Sequence, residues 1–275
     1  MLTENVHIAV PTAFFEDESL NTQGTISHIK DLYGQGITSV LVSGTTGEQH
    51  SLNLQEKMEL VDSLEQEEEL INHMEIIVGV SSIRQKEAEE LAEKIHSTRL
   101  SGIMLGYPPY IIPTQKEALT YSKKIIHLSN KPTILYNNPN RTGFDLSAKS
   151  IMELSGMDLV VGVKDAGHRE KIQEIKDGLD RTDFYFYAGG EEELAEKVSY
   201  GYDRLSSIAG NVSPKIVSQW FEKMLKDQQV SEEEYMEVEK VFGQVYHGNA
   251  VVNVKNILNR KGHSMGNCRS PIGNG

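Results

Sequence analysis

The chain has 275 residues, enough for one large α/β barrel or for two ordinary domains. Its 27 basic and 40 acidic residues give a formal charge of −13, which argues against nucleic acid or an anionic membrane as a partner, since both bind basic surfaces. The single cysteine, Cys268, excludes an intrachain disulfide and favours a reducing cytoplasm, and we expect neither a signal peptide nor a membrane-spanning segment.

Short runs rich in β-branched residues alternate with longer amphipathic segments along most of the chain. Most of the short runs are continuously apolar, as expected for strands that are covered on both faces. The predicted strands cover residues 8–10, 39–43, 76–80, 102–105, 133–136, 160–164, 184–188 and 204–208.

Helices are predicted between these strands, because apolar residues recur there with a spacing near that of a helix. The segment 88–95 has one apolar face, and Ser213-Pro214 has the composition of a helix start. Eight strand–helix units predict a closed (β/α)₈ barrel, which needs about 250 residues, and a doubly wound open sheet is the alternative. We therefore expect a barrel domain over residues 1–227 and a C-terminal helical appendage over residues 228–275.

The segment after the second predicted strand has the composition of an anion-binding turn. It reads GTTGE at residues 44–48, where two glycines permit a tight turn that brings backbone N–H groups and hydroxyls together. Such a nest suits a carboxylate, which accepts several charge-assisted hydrogen bonds. Taken alone the motif is weak evidence, because many turns have this composition.

Lys164, at the end of the sixth predicted strand, is the most informative single residue. It terminates the apolar run VVGVK at residues 160–164. Burial disfavours an ammonium and lowers its pKa, and a partly neutral amine is a nucleophile that forms Schiff bases with ketones. For a lysine considered alone, the ordinary interpretation is a charge at a strand end that reaches solvent, so the neighbouring motifs have to decide.

Aromatic and cationic side chains follow the fourth and fifth predicted strands. Residues 107–110, YPPY, form a stiff segment that presents Tyr110, and the fifth strand ends on Tyr136, with Arg141 shortly after it. Considered singly, Tyr136 would be a core tyrosine and Arg141 a surface charge. In a barrel, however, the carboxyl ends of all strands lie on one face, where active sites are built. These residues and Lys164 are therefore expected to meet.

Together these segments resemble the dihydrodipicolinate synthase / N-acetylneuraminate lyase family of class I, Schiff-base aldolases. The resemblance runs from about residue 8 to residue 271 and rests on GTTGE at 44–48, YNNP at 136–139 and GVKDA at 162–166, in the family's order and spacing. Looser matches at 201–214 and 254–271 support it. The resemblance implies an α/β fold of the (β/α)₈ TIM barrel type and the activity of a lyase.

The resemblance also implies a role for each residue singled out above. Lys164 would condense with the ketone of pyruvate or of a pyruvate-derived 2-keto acid, and the imine would serve as an electron sink. Thr45 and Thr46 would hold the carboxylate of the keto acid. Tyr136 would shuttle protons, aided by Thr46 and by Tyr110, a residue that in this family reaches across a subunit interface.

Two further positions and a set of partners follow from the same resemblance. Gly189 and Ser206 correspond to positions whose backbone touches the keto acid, and the pairs Gly189-Gly190 and Ser206-Ser207 leave two registers open. The expected partners are pyruvate, a small aldehyde and further copies of the chain, as a dimer or a tetramer. No cofactor is implied beyond the covalent lysine imine, and no metal site is predicted, because the nine histidines show no zinc-type spacing.

The identity of the aldehyde depends on Arg141. In the synthase branch of the family, an arginine here receives the carboxylate of aspartate semialdehyde, and this favours lysine biosynthesis as the setting. A 2-keto-3-deoxy sugar-acid aldolase or an N-acetylneuraminate lyase is the alternative, and a non-catalytic sensor that binds keto acids is a third hypothesis. Gln49 and Pro109 depart from the synthase pattern, which usually has serine and tyrosine at these positions.

The residues at the lysine feedback pocket of regulated relatives are a poor match in this chain. They are His50, Leu54, Lys57 and Ile83. We therefore expect no feedback inhibition by lysine.

Overall fold

The computed structural model describes residues 2–273, and within them eight strands form one sheet. They are β1 (Val6–Ala9), β2 (Ser39–Val42), β3 (Glu75–Val80), β4 (Gly102–Gly106), β5 (Thr133–Asn137), β6 (Val160–Asp165), β7 (Tyr185–Gly189) and β8 (Arg204–Ser207). Each strand pairs in parallel with the next one, and β8 pairs with β1, which closes the sheet. This closure confirms the predicted (β/α)₈ barrel and excludes the open doubly wound sheet.

Helices connect the strands and surround the barrel. They are α1 (Thr22–Gly34), α2 (Leu54–Glu65), α3 (Glu68–His73), α4 (Gln85–His96), α5 (Gln115–Ser129), α6 (Pro139–Thr142), α7 (Ala148–Ser155), α8 (Lys171–Gly178), α9 (Leu194–Ser199), α10 (Pro214–Leu225), α11 (Glu232–Tyr246) and α12 (Ala250–Arg260). A short 3₁₀ helix, Ala209–Asn211, follows β8. No helix within residues 2–273 is long and apolar enough to cross a lipid bilayer.

Alternation along the strands divides the apolar side chains into two clusters, because successive residues of a strand point to opposite faces. The smaller cluster takes one face of the strands and includes Ala9, Leu41, Ile77, Met104, Ile134, Val161 and Tyr187. The larger cluster joins the other face to the helices. Both faces are therefore covered, which explains why the strands are continuously apolar in sequence.

Strand register brings polar residues together at the carboxyl ends of neighbouring strands. Tyr136 of β5 lies opposite Lys164 of β6, and Gly189 of β7 lies opposite Ser206 of β8. The pairing of the strands by itself thus places these four residues at one end of the barrel.

The C-terminal helices pack against one another and against the last barrel helix. Helix α10 ends at Leu225, α11 begins at Glu232, and α11 contacts both α10 and α12. A capping box starts α11, in which Ser231 and Glu234 satisfy each other's backbone N–H groups. The division between residues 1–227 and 228–275 stays a prediction, and its end residues Met1, Asn274 and Gly275 lie outside the described part of the chain.

Candidate active site

Lys164 lies at the carboxyl end of β6 with a side chain that is only 8% exposed. Its Nζ donates a hydrogen bond to Oγ of Ser206 at 2.9 Å and lies 4.7 Å from the centroid of the Tyr136 ring. Within residues 2–273 no carboxylate lies within ion-pair distance of this amine. A buried lysine whose polar contact is a neutral hydroxyl has little to stabilise its charge.

The electrostatics of this position favour the neutral amine. Burial lowers the pKa of Lys164 below its usual value of 10.5, and the charge of Arg141 acts in the same direction. Tyr136 and the carboxylate of Glu191 oppose this effect without cancelling it. The amine is therefore more nucleophilic near neutral pH than that of a solvent-exposed lysine.

Tyr136 places its hydroxyl in a polar chain beside Lys164. The phenol oxygen lies 3.3 Å from Oγ1 of Thr45 and accepts a hydrogen bond from Nδ2 of Asn138 at 2.7 Å. Burial alone would raise the pKa of Tyr136, but Lys164, the two hydrogen bonds and Arg141 outweigh burial and lower it. A phenol tuned in this way can give up and take back a proton more readily than a free tyrosine.

The two threonines of the GTTGE turn point to different partners. Thr45 contacts the Tyr136 hydroxyl, whereas Thr46 makes no side-chain hydrogen bond to any residue in the described range 2–273. The sequence prediction paired Thr46 with Tyr136, and the structure places Thr45 there instead. The reason is the orientation of successive residues in the turn, which composition does not reveal. The Thr46 side chain is 5% exposed and borders the cleft of Lys164, so its hydroxyl is available to a ligand.

Close packing holds the GTTGE turn against the next strand. The Oγ1 atom of Thr12 donates a hydrogen bond to the carbonyl of Gly47 at 2.7 Å. A Cβ atom on Gly79 of β3 would lie only 2.0 Å from the carbonyl oxygen of Ser43, so no other residue fits there without a backbone shift. The turn is therefore rigid, as a site that orients a carboxylate requires.

Arg141 lies at the mouth of the site on the single-turn helix α6, which sequence periodicity did not predict. The helix begins at Pro139, a residue suited to the first helical position, and ends at Thr142, followed by Gly143 with a left-handed φ of 72°. The Arg141 side chain is exposed and has no ion-pair partner within the described residues. Its charge still reaches Tyr136 and Lys164, whose pKa values it lowers.

Tyr110 lies apart from the other predicted site residues. Its side chain is 89% exposed, and it has a left-handed backbone with φ of 75°. Ile111 and Ile112 beside it are exposed as well. A single chain thus does not bring Tyr110 to Lys164, and its predicted role requires a second copy of the chain.

Gly189 and Ser206 lie directly against Lys164, whereas Gly190 and Ser207 do not. A Cβ atom on Gly189 would be 3.2 Å from Cε of Lys164 and would crowd the lysine side chain. Ser206 contacts the amine through its hydroxyl, although the sequence prediction assigned a role to its backbone. Of the two registers left open by the sequence, the structure places Gly189 and Ser206 next to Lys164.

Glu191 is a buried residue near the site that the sequence analysis missed. Its carboxylate accepts hydrogen bonds from Oγ of Ser207, from the hydroxyl of Tyr246 and from the backbone N–H of Ala209 at 3.2 Å. Burial raises its pKa, while these donors act in the opposite direction. It belongs to the run EEE at 191–193, and such a run normally indicates a solvated surface, so the sequence carries no signal that one member is buried.

Two adjoining cavities meet at these residues. The larger has a volume of about 970 Å³ and is lined by Lys164, Thr46, Gly189 and other residues of the β5 to β8 loops. The smaller, of about 290 Å³, extends toward Gln49 and Ser81, and the two share Thr45, Tyr136, Asn138 and Arg141. A small substrate can therefore reach the amine, the phenol and the guanidinium from one opening.

Known proteins resemble this chain over nearly its whole length. The model of the dihydrodipicolinate synthetase family matches residues 2–274. A protein of Methanococcoides burtonii named 4-hydroxy-tetrahydrodipicolinate synthase is 27% identical over 271 residues, which cover 98% of this chain and 92% of the relative.

Solved structures agree with this result. The crystal structure of dihydrodipicolinate synthase from Aquifex aeolicus matches with a TM-score of 0.90 at 22% identity, covering 98% of this chain and 92% of that one. The chloride-inhibited enzyme from Acinetobacter baumannii, solved with pyruvate, matches with a TM-score of 0.86 at 25% identity and the same two coverages.

Proposed function

The chain belongs to the dihydrodipicolinate synthetase family of class I aldolases, and from this premise we propose that it condenses pyruvate with aspartate semialdehyde. The observation that carries the proposal is the environment of Lys164. Its amine is buried, its pKa is lowered, and its hydrogen-bond partner is the neutral hydroxyl of Ser206. A buried ammonium without a carboxylate partner is costly, and Lys164, unlike the buried Lys57, also lies beside Tyr136 and lines the cleft.

In the proposed reaction the neutral amine of Lys164 attacks the ketone carbon of pyruvate, and loss of water from the adduct leaves an imine. The imine withdraws electrons from the methyl group, which loses a proton and becomes an enamine. The enamine carbon forms a bond to the aldehyde carbon of the second substrate, and the aldehyde oxygen takes up a proton. The amine of that substrate then displaces Lys164 and closes the ring. The imine acts as the electron sink, so the proposal includes no metal or cofactor.

Tyr136 moves the protons in this proposal, with Thr45 as its relay. The support is the hydroxyl contact of 3.3 Å between them together with the lowered pKa of the phenol. Thr46, whose hydroxyl is bound to no other described residue, would hold the pyruvate carboxylate with the N–H groups of the turn. We therefore assign the proton relay to Thr45, whereas the sequence analysis favoured Thr46.

Arg141 would receive the carboxylate of aspartate semialdehyde. A planar guanidinium binds a carboxylate through two parallel hydrogen bonds, and this guanidinium has no carboxylate partner within the described range. A polyhydroxylated aldehyde would have no need of such a cation. The synthase is for this reason preferred to a sugar-acid aldolase or a neuraminate lyase.

A second copy of the chain completes the site in this proposal. Tyr110, Ile111 and Ile112 form an exposed aromatic and aliphatic surface, with exposures of 89%, 55% and 65%. Burial of such a surface in a homo-oligomer would let Tyr110 extend the proton relay of the neighbouring subunit. Sedimentation analysis should give a dimer or a tetramer, and the single cysteine suits a cytoplasmic enzyme.

Reductive trapping tests the proposal. Borohydride added with pyruvate should leave a stable adduct on Lys164, read by peptide mass mapping. Lys57 is the matched internal control, because burial lowers its pKa to about 8, yet its ammonium donates to the carbonyl of Ser81 at 2.8 Å. An adduct on Lys57 as strong as that on Lys164 would mean that burial alone causes the reactivity, and the aldolase assignment would fall.

Turnover with a panel of aldehydes then identifies the second substrate. The synthase proposal expects activity with pyruvate and aspartate semialdehyde. Cleavage of 2-keto-3-deoxygluconate or of N-acetylneuraminate in its place would select the sugar-acid branch. Imine formation without turnover of any aldehyde would favour a sensor of keto acids.

A further inference from the structure

Three side chains with metal-binding groups meet on the outside of the barrel, away from Lys164. His28 and Asp31 lie on α1, and His263 lies in the turn that follows α12. One ligand atom from each residue lies within 4.8 Å of the other two. The rings of His28 and His263 meet edge to face with centroids 5.2 Å apart, and Nε2 of His263 lies 3.8 Å from Oδ2 of Asp31.

A hydrogen bond to Asn211 decides which nitrogen of His28 carries the proton. Nε2 of His28 lies 2.9 Å from Oδ1 of Asn211. The amide nitrogen of Asn211 donates to the carbonyls of Ala9 and Ile208, at 2.8 and 2.9 Å, so its oxygen is the atom that faces the imidazole. An oxygen can only accept, and Nε2 of His28 is therefore the protonated nitrogen.

The other ring nitrogen of His28 has no partner. His28 is fully buried, and its Nδ1 is a buried polar atom with no hydrogen-bond partner among residues 2–273. With Nε2 protonated, Nδ1 carries a free lone pair. An unpaired buried acceptor is destabilising, and native structures rarely leave one without a reason.

The contact with Asn211 also orients the imidazole of His28. A metal-bound histidine commonly donates its other ring N–H to an oxygen acceptor, and Oδ1 of Asn211 is such an acceptor here. The Asp31 carboxylate is likewise oriented by a hydrogen bond, since Nε2 of Gln35 donates to its Oδ2 at 2.7 Å.

We propose that His28 through Nδ1, together with Asp31 and His263, binds one divalent transition metal ion, with Zn²⁺ as the best-fitting metal. Two imidazoles and one carboxylate form a ligand set that Zn²⁺ prefers, and water would occupy the fourth position. Zinc bonds of about 2.0–2.2 Å place tetrahedral ligand atoms roughly 3.4 Å apart. The distance between Nε2 of His263 and Oδ2 of Asp31 is wider, at 3.8 Å, so metal binding requires a rotation of the Asp31 side chain, which is 45% exposed.

Lys261 is a cation that opposes metal binding at this cluster, because its positive charge interacts with His28. Its ammonium donates to the carbonyl of Val212 at 2.6 Å and so is held by a neutral group outside the ligand set. The carboxylate of Asp31 supplies the compensating negative charge.

A metal ion here would join separate parts of the chain. It would connect helix α1 of the barrel to the turn after α12, and through Asn211 it would reach the segment after β8. The expected effect is a clamp that holds the C-terminal helices on the barrel. This inference is independent of the proposed aldolase chemistry, because none of the three ligands lines the cleft of Lys164.

Zinc titration of the full-length protein tests the proposal. Protein stripped with a chelator should bind one ZnCl₂ equivalent per chain by calorimetry, and its Tm should rise in excess zinc. His263→Ala and Asp31→Asn should each lower the zinc affinity at least 10-fold and remove the rise in Tm. His127→Ala, which removes an exposed histidine on α5, is the matched control and should behave like the parent.

Two further measurements keep the result interpretable. CoCl₂ in place of zinc should give visible absorption bands that His263→Ala changes, which a merely structural role of His263 would not produce. Far-UV circular dichroism of His263→Ala should match that of the parent, which shows that the variant is folded. Zinc affinity that is equal in the parent and His263→Ala, no binding in the millimolar range, or binding abolished by Cys268→Ser would each overturn the proposal.

Discussion

The ammonium of Lys255 lies 2.6 Å from Oε1 of Glu48, and both side chains are only 1% exposed. Glu48 closes the GTTGE turn, and Lys255 belongs to α12 in the C-terminal part of the chain. The backbone N–H of Arg269 donates to the other oxygen of Glu48 at 2.9 Å. The C-terminal segment thus supports the turn that carries Thr45 and Thr46. This contact connects α12, the last helix of the described chain, to the candidate active site.

Lys255→Met should be strongly destabilising, because it leaves the Glu48 carboxylate buried without its cation. The expected loss in the free energy of unfolding is about 3–5 kcal/mol, measured by chemical denaturation. The double variant Lys255→Met/Glu48→Gln removes both charges and should recover part of that loss. A single variant within about 1 kcal/mol of the parent would show that the pair is not important for stability.

The proton relay predicts different kinetic effects for two adjacent threonines. Tyr136→Phe should lower kcat by roughly 10²–10⁴-fold while the barrel still folds, since the ring is kept. Thr45→Val should lower kcat in the same direction because it interrupts the contact with Tyr136. Thr46→Val should chiefly raise KM for pyruvate. Steady-state kinetics separate these cases, and equal effects of the two threonine variants on kcat would contradict the assignment.

Arg141→Leu should impair the use of aspartate semialdehyde and leave imine formation at Lys164 intact. The expected loss in kcat/KM corresponds to about 2–5 kcal/mol, the range for removing one partner of a desolvated charge pair. Arg141→Lys is the matched control, and it should give an intermediate loss because an ammonium keeps the charge but not the bidentate geometry. Unchanged kcat/KM in Arg141→Leu would make Arg141 a surface charge.

Lys164 should be a source of instability that depends on pH. Its pKa is lowered in the folded chain, so the unfolded chain binds more protons between the folded value and 10.5, and stability rises with pH across that window. Lys164→Met should therefore be more stable than the parent at pH 7. The gain should shrink as the pH rises through the window, measured by denaturation at several pH values. A Met variant that is less stable at pH 7 would contradict this account.

Inhibition by lysine should be absent. The positions of the feedback pocket include Lys57, whose ammonium bonds to the carbonyl of Ser81, and the exposed apolar side chain of Ile83. A cation already at this place repels a cationic effector, and an apolar side chain offers it no hydrogen bonds. Initial rates in millimolar lysine should match those without it. Steep, cooperative inhibition would demonstrate an effector pocket elsewhere.

Local sequence patterns were sufficient to predict the fold, and they placed the residues of the candidate site on one face of the barrel. Continuous apolar runs mark strands covered on both faces, and their alternation with amphipathic segments predicted the closed barrel. Because every parallel strand of a barrel ends on the same face, a residue such as Lys164 or Tyr136 at a strand end could be assigned to one site without coordinates. This reasoning depends only on the order of residues along the chain.

Contacts between distant or adjacent side chains depended on the tertiary structure. The choice of Thr45 over Thr46 and the burial of Glu191 result from the direction in which a turn aims each side chain, and neighbours with similar composition differ in this respect. His28 and His263 meet because the segment after α12 lies against α1, which no local spacing encodes. Periodicity along one segment determines that segment's own structure, whereas the pairing of two segments depends on register and packing, and these exist only once the chain has folded.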